Sequence, residues 1–373
     1  MTLGVYSGLD PRLHTTWSGT PANLIEALEK DCEPLPCYHA DLSLGRGFVA
    51  GTLARLSPAS ALYSRIGARY LVDNLARYFH QQGCDTVLHI SGEQLPFPGS
   101  HTGLRHLVFI DSTFEQFLMP WFRERYGARS RSLQSLLNLE MGRRNRYYRR
   151  TLACIDHFFV ATDWVRESLV KSYGIADERI TTCYTGTGRI RVTEAARDSS
   201  HTKILFVARH NYVHKGASLL LDAFRLIREK HPQAELILVG PDRMGLGIGE
   251  TEERVSIHSF LEWSDLERLF NDAALFVMPS LYEPYGLVYL EAMKCGVPVL
   301  CSSTGGMASI VREQDCGWII EHRNPRTLAV LLDVALSDPD KCRAKGVNGQ
   351  EFIANHCSWA KCAAIIEDYL ADR

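Results

Sequence analysis

The chain has 373 residues, 46% apolar and 23% charged, which is long for one compact domain and enough for two separate cores. A formal net charge of −2 excludes a chain-wide basic surface for nucleic acid, so an anion site has to be local. Eleven cysteines, scattered with no C-x-x-C pair, point to reduced thiols in a cytosolic compartment, and neither an export signal nor a run of eighteen apolar residues is found.

The first predicted strand is LGVYS, followed by the turn and helix of TWSGTPANLIEALEK. There Thr20 is the expected N-cap, Pro21 suits the first helical position, and Gly19 lets the backbone pass close to a ligand. Such a helix start is either an anion site or an ordinary capped end. Strands at TVLHIS, RHLVFI, HFFVAT and ITTCYT continue an open parallel sheet. Asp111, after RHLVFI, stands beside Ser112 and Thr113 and can orient a ligand hydroxyl or cap a helix. Trp121–Arg150 holds nine arginines against two glutamates, interleaved with aromatics, which fits an anionic membrane, an acidic acceptor or a solvated helix edge.

The polar stretch Gly186–Lys203 has no apolar period and is the expected linker, placing one domain at 1–195 and another at 201–356. Beyond it, KILFVA, AELILVG, RVSIHSF, ALFVMPS, VPVLCSS and GWII are short runs, apolar on both faces, that alternate with amphipathic stretches. That is the pattern of a doubly wound α/β domain. After the first run, Leu220, Ala223, Phe224 and Ile227 form a helical stripe, and Arg209 and Lys215 lie in the connecting loop. Two fixed cations there can hold a diphosphate, or can simply be solvated.

Glu283 and Glu291 flank a Pro-Tyr-Gly turn. Pro284 and Gly286 keep Glu283 in a loop, while Glu291 falls on the helix that begins near Leu287. The carboxylates can address different parts of one ligand, with the N–H groups of Tyr285, Gly286 and Leu287 as further donors. Asp338-Pro339-Asp340 is the D-x-D of the chain and sits in a turn with a capping composition; with no zinc spacing among Cys and His, no metal or other cofactor is expected.

The segment EPYGLVYLEAMKCGVPVL resembles the E-x7-E signature of retaining glycosyltransferases of the GT-B fold, family 4, and the likeness extends over most of the second half of the chain, where RVSIHSF to GGMASIV follows the family's order closely. The resemblance implies two doubly wound Rossmann-like domains facing a central cleft, the first on the acceptor side and completed by a C-terminal helix at 357–373. It assigns Glu283 to the transferred sugar, Glu291 to the ribose, and Arg209 and Lys215 to the donor diphosphate, in a loop one residue longer than is usual. It places Ser18, Gly19 and Thr20 near the diphosphate, Ser259, Phe260 and Leu261 around the nucleobase, and Asp111 where many members have a histidine near the reacting sugar. Ala308 and Ser309 replace the family's Pro-Glu.

The activity so implied is transfer of a hexose-type sugar, with retention and without metal, from a nucleoside-diphosphate sugar to an alcohol acceptor: a glycan, a lipid-linked sugar or a small molecule. The expected location is cytoplasmic, with peripheral contact at the inner membrane face through Trp121–Arg150 as an option, and no nucleic acid is involved. A nucleotide-sugar epimerase and a nucleotide-sugar-binding scaffold without turnover are the competing readings.

Overall fold

The computed structural model describes residues 2–14, 16–30, 32–39, 65–90, 102–117, 120, 131–192, 202–208, 211–240, 246, 252–259 and 261–372. The chain divides into two compact units, Met1–Gly186 with Trp359–Arg373, and Thr187–Ser358. The first division falls at the start of the polar stretch that follows ITTCYT.

In the first unit the described strands are β1 (Leu3–Ser7), β2 (Cys37–His39), β3 (Thr86–Ile90), β4 (Arg105–Ile110), β5 (His157–Val160) and β6 (Ile180–Thr182). They form one parallel sheet in the order β2-β1-β3-β4-β5-β6. Every residue of β1, β3 and β5 is buried, as in a sheet covered on both faces. The helices are α1 (Thr20–Leu28), α2 (Arg65–Gln81), α3 (Arg131–Ala153) and α4 (Asp163–Tyr173). Tyr6, Leu75, Phe79 and Val87 make one core cluster, and Val108, Phe114, Leu152, Phe158 and Leu169 make another.

Two details differ from the sequence reading. Strand β2 is only the half-exposed tripeptide Cys-Tyr-His at the sheet edge, too short for a periodicity to register. Thr20 is the first residue of α1, and the N-cap is Gly19. The chain enters α1 through three consecutive left-handed residues, Trp17 (φ 44°), Ser18 (φ 56°) and Gly19 (φ 84°), whereas a threonine cap needs extended backbone.

The second unit runs through β7 (Lys203–Val207), α5 (Ala217–Ile227), β8 (Glu235–Val239), β9 (Val255–His258), α6 (Trp263–Asp272), β10 (Leu275–Met278), α7 (Leu287–Lys294), β11 (Val299–Ser302), α8 (Gly306–Gln314), β12 (Gly317–Ile320), α9 (Pro325–Ser337) and α10 (Pro339–His356). Its described strands form a parallel sheet ordered β12-β11-β10-β7-β8-β9. From β7 the chain builds outward through β8 and β9. It then returns to the other side of β7 and builds outward again through β10, β11 and β12. Strands β7 and β10 pair directly, Leu275 beside Ile204 and Phe276 beside Leu205. The α5 stripe of Leu220, Ala223, Phe224 and Ile227 is buried as its spacing predicts. Asp338 caps α10 by accepting from the Lys341 N–H at 2.9 Å, which accounts for one half of the Asp-Pro-Asp turn.

After α10 the chain rejoins the first unit as α11 (Trp359–Ala371), which packs on α1. Cys362, Ala363 and Ile366 are buried, and the Cys362 Sγ lies 3.2 Å from the Cys183 Sγ just beyond β6. At the far end the Tyr369 ring stacks on His157 of β5 with centroids 4.0 Å apart. Among the described residues no helix is long and apolar enough to cross a membrane.

Ile366 is fully buried. Ile366→Ala is therefore expected to remove roughly 2–5 kcal/mol from the unfolding transition of the first unit, read by urea denaturation. A loss within error of zero would show that α11 does not pack as described.

Candidate active site

In a doubly wound sheet, ligands bind at the carboxyl ends of the strands where the order reverses, because the two loops there leave in opposite directions. In the second unit that point lies between β7 and β10. The loop after β7 carries Lys215 and the loop after β10 carries Glu283. Their side chains meet there: Lys215 Nζ is 3.2 Å from Glu283 Oε2, and both are largely shielded, with 28% and 16% side-chain exposure. Arg209 lies outside the described residues.

Backbone contacts fix the two loops against each other. The Leu281 N–H donates to the His214 carbonyl at 2.8 Å. Gly216, the N-cap of α5, is held at φ 89°, and a Cβ there would sit 2.5 Å from the Pro279 carbonyl oxygen, so only glycine lets the loops approach this closely. On its other side the Glu283 loop leans on the loop after β11. Glu283 forms an isolated parallel bridge with Gly305, and the Gly306 N–H donates to the Pro284 carbonyl at 2.8 Å. A Cβ on Gly305 would lie 2.0 Å from the Glu283 carbonyl oxygen.

Tyr285 is buried, Gly286 is the N-cap of α7, and Leu287 opens that helix, so the three residues predicted to offer N–H groups do follow Glu283 at a helix start. Glu291 lies on α7, 9% exposed. Burial pushes its carboxyl up from 4.5 to about 7, against the opposing pull of Lys294. The Glu291 Oε1 comes so near Gly188 that a Cβ there would be 1.9 Å away, and Lys294 donates to the Ile190 carbonyl at 2.7 Å.

The other expected residues are placed as follows. Ser259 and Leu261 follow β9, the edge strand two positions from β7, and Phe260 lies outside the described residues. Ser18, Gly19 and Thr20 belong to the first unit at the start of α1. Asp111 follows β4 and accepts from the Ser112 hydroxyl at 3.0 Å, and residues 114–117 form a turn. Residues 121–130 of the arginine-rich stretch lie outside the described residues. Within α3, Arg143, Arg146, Arg149 and Arg150 are exposed, while Arg144 and Tyr148 are buried. Tyr148 packs on Phe114 and Tyr173, so this aromatic serves the core and no interface.

Two further residues touch the Glu283 loop that no sequence pattern singled out. Thr304 donates its hydroxyl to the Leu281 carbonyl at 2.8 Å, and Arg323, after β12, donates Nε–H to the Pro279 carbonyl at 2.9 Å. Ser309, where the resembled family has glutamate, turns its hydroxyl back onto the Gly306 carbonyl of its own helix at 2.7 Å. Among the described residues no group of three or more His, Cys, Asp or Glu side chains could hold a metal ion.

With this geometry in place, residues 192–352 match the family model described as "Glycosyl transferases group 1". An uncharacterised glycosyltransferase of Methanocaldococcus jannaschii is 36% identical over 144 residues, covering 36% of each chain. The D-inositol 3-phosphate glycosyltransferase of Corynebacterium kroppenstedtii is 27% identical over 242 residues, 58% of this chain and 53% of that one. The matches thus span about a third to two thirds of the curated relatives' lengths. Among solved structures, a sucrose-phosphate synthase from Thermosynechococcus elongatus shares the fold over 100% of this chain and 99% of its own, at TM-score 0.67 and 18% identity. The second unit is a glycosyl transferases group 1 domain, and the pair of doubly wound units is that of the GT-B fold.

The buried Glu291 gives a pH prediction. A carboxyl whose pKa is raised by folding favours the folded state while protonated, so its contribution is complete below about 4.5 and is lost as pH rises through about 7. Relative to Glu291→Gln, the wild type should lose roughly 3 kcal/mol between these limits, measured as the difference in urea stability at each pH. A constant difference across that range would reject the burial of this carboxyl.

Proposed function

We propose that this chain is a retaining glycosyltransferase that moves a hexose-type sugar from a nucleoside-diphosphate sugar to an alcohol acceptor, with no metal ion. The observation that carries the reading is the meeting of Lys215 and Glu283 at the reversal of strand order in a group 1 domain. A cation and a carboxylate at one crevice suit the two halves of such a donor. The ammonium takes the diphosphate, and the carboxylate accepts from paired sugar hydroxyls.

In this mechanism the bond between the anomeric carbon and the diphosphate oxygen breaks while the acceptor oxygen bonds to the same face of the sugar. The acceptor's proton passes to the departing phosphate oxygen, so no side chain has to act as a general base. Negative charge grows on the diphosphate, and Lys215, with Arg209 as its partner, stabilises it; a preorganised cation acts more strongly as the bond breaks than before it. Glu283 orients the sugar, and Glu291 takes the ribose hydroxyls. Ser259 to Leu261 would face the base, with Ser18 to Thr20 near the diphosphate and Asp111 toward the acceptor side.

The acceptor proposed is a sugar, a lipid-linked sugar or a small alcohol, as the inositol phosphate named for one relative illustrates for that protein. A cytoplasmic location is supported by the eleven scattered cysteines, and peripheral attachment to an anionic membrane by the exposed arginines of α3. The reading of a donor-binding scaffold draws on Ser309, whose hydroxyl is turned onto its own helix.

The test begins with thermal shifts in UDP, GDP, ADP and CMP. A nucleotide at about 100 times its Kd should stabilise by roughly 2.7 kcal/mol. With the matching nucleotide sugar, Lys215→Ala and Glu283→Ala should each lower turnover by roughly 10²–10³ while the fold persists. Product NMR should show the donor's anomeric configuration kept. Unchanged turnover in both variants would remove the assignment, and nucleotide binding without turnover in the wild type would favour the scaffold.

A further inference from the structure

We infer that Arg323 and Thr304 are positioning residues that hold the Glu283 carboxylate in register with Lys215, an inference that rests on the sugar-transfer reading of this site. The Glu283 loop, Pro279–Gly286, contains no regular helix or strand, so its carbonyl groups need donors from elsewhere. Three of those carbonyls find donors in the segments that follow β11 and β12. Pro279 accepts from the Arg323 Nε–H at 2.9 Å, Leu281 from the Thr304 hydroxyl at 2.8 Å, and Pro284 from the Gly306 N–H at 2.8 Å. The Leu281 N–H is spent on the His214 carbonyl at 2.8 Å, one residue before Lys215.

The loop is therefore held from both sides of β10 in the sheet. Toward β7 the hydrogen bond is backbone to backbone and the spacing is set by glycine, beside the Lys215–Glu283 pair itself. Toward β11 and β12 two of the three contacts come from side chains, so they depend on the identities of residues 304 and 323. The guanidinium of the half-buried Arg323 spans from the end of β12 across β11 to the end of β10. It serves the one peptide, at Pro279, that also packs on Gly216 of the Lys215 loop. Losing that donor frees the junction of the two loops. Losing the Thr304 hydroxyl frees the peptide two residues before Glu283.

Neither residue need touch the substrate to matter. Displacing a reacting or orienting group by about 1 Å can cost on the order of 10²-fold in rate. The effect should therefore fall on kcat more than on KM.

The experiment compares wild type with Arg323→Met and Thr304→Val, which remove the donors, and with Arg323→Lys and Thr304→Ser, which keep one. Amide hydrogen exchange is read by mass spectrometry on peptides covering 279–286. Rescue by the two conservative variants separates donor loss from a change of volume. Arg323→Met and Thr304→Val should each speed exchange in that segment by roughly tenfold, with the rest of 187–358 unchanged and the conservative variants near wild type. Hydrolysis of UDP-glucose, GDP-mannose and ADP-glucose is measured alongside. With the substrate that the wild type turns over, kcat should fall about tenfold or more with KM within about threefold. Unchanged exchange at 279–286, or faster exchange spread over the whole second unit, overturns the inference. A wild type that hydrolyses none of the three counts against the sugar-transfer reading, and the exchange data then decide on loop positioning by themselves.

Discussion

The candidate site depends on one constraint: strand β7 sits in the middle of its sheet, and the chain must leave it in one direction and come back on the other. Parallel strands need crossover connections of one hand, so the two halves of the sheet send their loops apart at the line between β7 and β10. Lys215 and Glu283 stand on the two sides of that line. A partly exposed ion pair of this kind adds little to stability, being screened and entropically costly to hold. What it does is keep a cation and a hydrogen-bond acceptor side by side at the reversal of strand order.

That arrangement requires backbones to come nearer than side chains would allow. Gly216 and Gly305 lie on opposite flanks of the Glu283 loop, one facing the Pro279 carbonyl and the other the Glu283 carbonyl. The glycines set the distance, and the hydrogen bonds to the His214 carbonyl and from the Gly306 N–H set the direction. Glu291 belongs to a different regime. It is buried on α7 beside Gly188, where the cost of desolvating a carboxylate dominates and the attraction of Lys294 only moderates it. One carboxyl of the pair is thus held against a cation, and the other is pushed above the usual carboxylate range by its burial.

Much of this was legible in the sequence, for a physical reason. Strands buried on both faces have to be apolar throughout, so KILFV, LFVM and GWII stood out against their surroundings, whereas Cys37–His39, half-exposed at an edge, carried no such requirement. Glu283 and Glu291 were visible because proline and glycine between them force a loop into a helix. Thr20 misled because composition favours it as a cap, while the left-handed entry through Trp17, Ser18 and Gly19 puts the cap one residue earlier, at the glycine. Thr304 and Arg323 were not legible at all. They act on carbonyl groups 23 and 44 residues away, and only the strand order brings those together. Local pattern reports what an element buries, and it is silent on which loop ends will meet.

The return of α11 has a consequence for how the molecule is made. Residues from Trp359 onward belong to the first unit, although the whole of the second unit is synthesised before them. On the ribosome, the surfaces of α1 and Cys183 that α11 covers stay open while Thr187–Ser358 emerges. The second unit is continuous in the chain and can close as soon as it has left the exit tunnel. The first unit can therefore be completed only after Thr187–Ser358 has been synthesised.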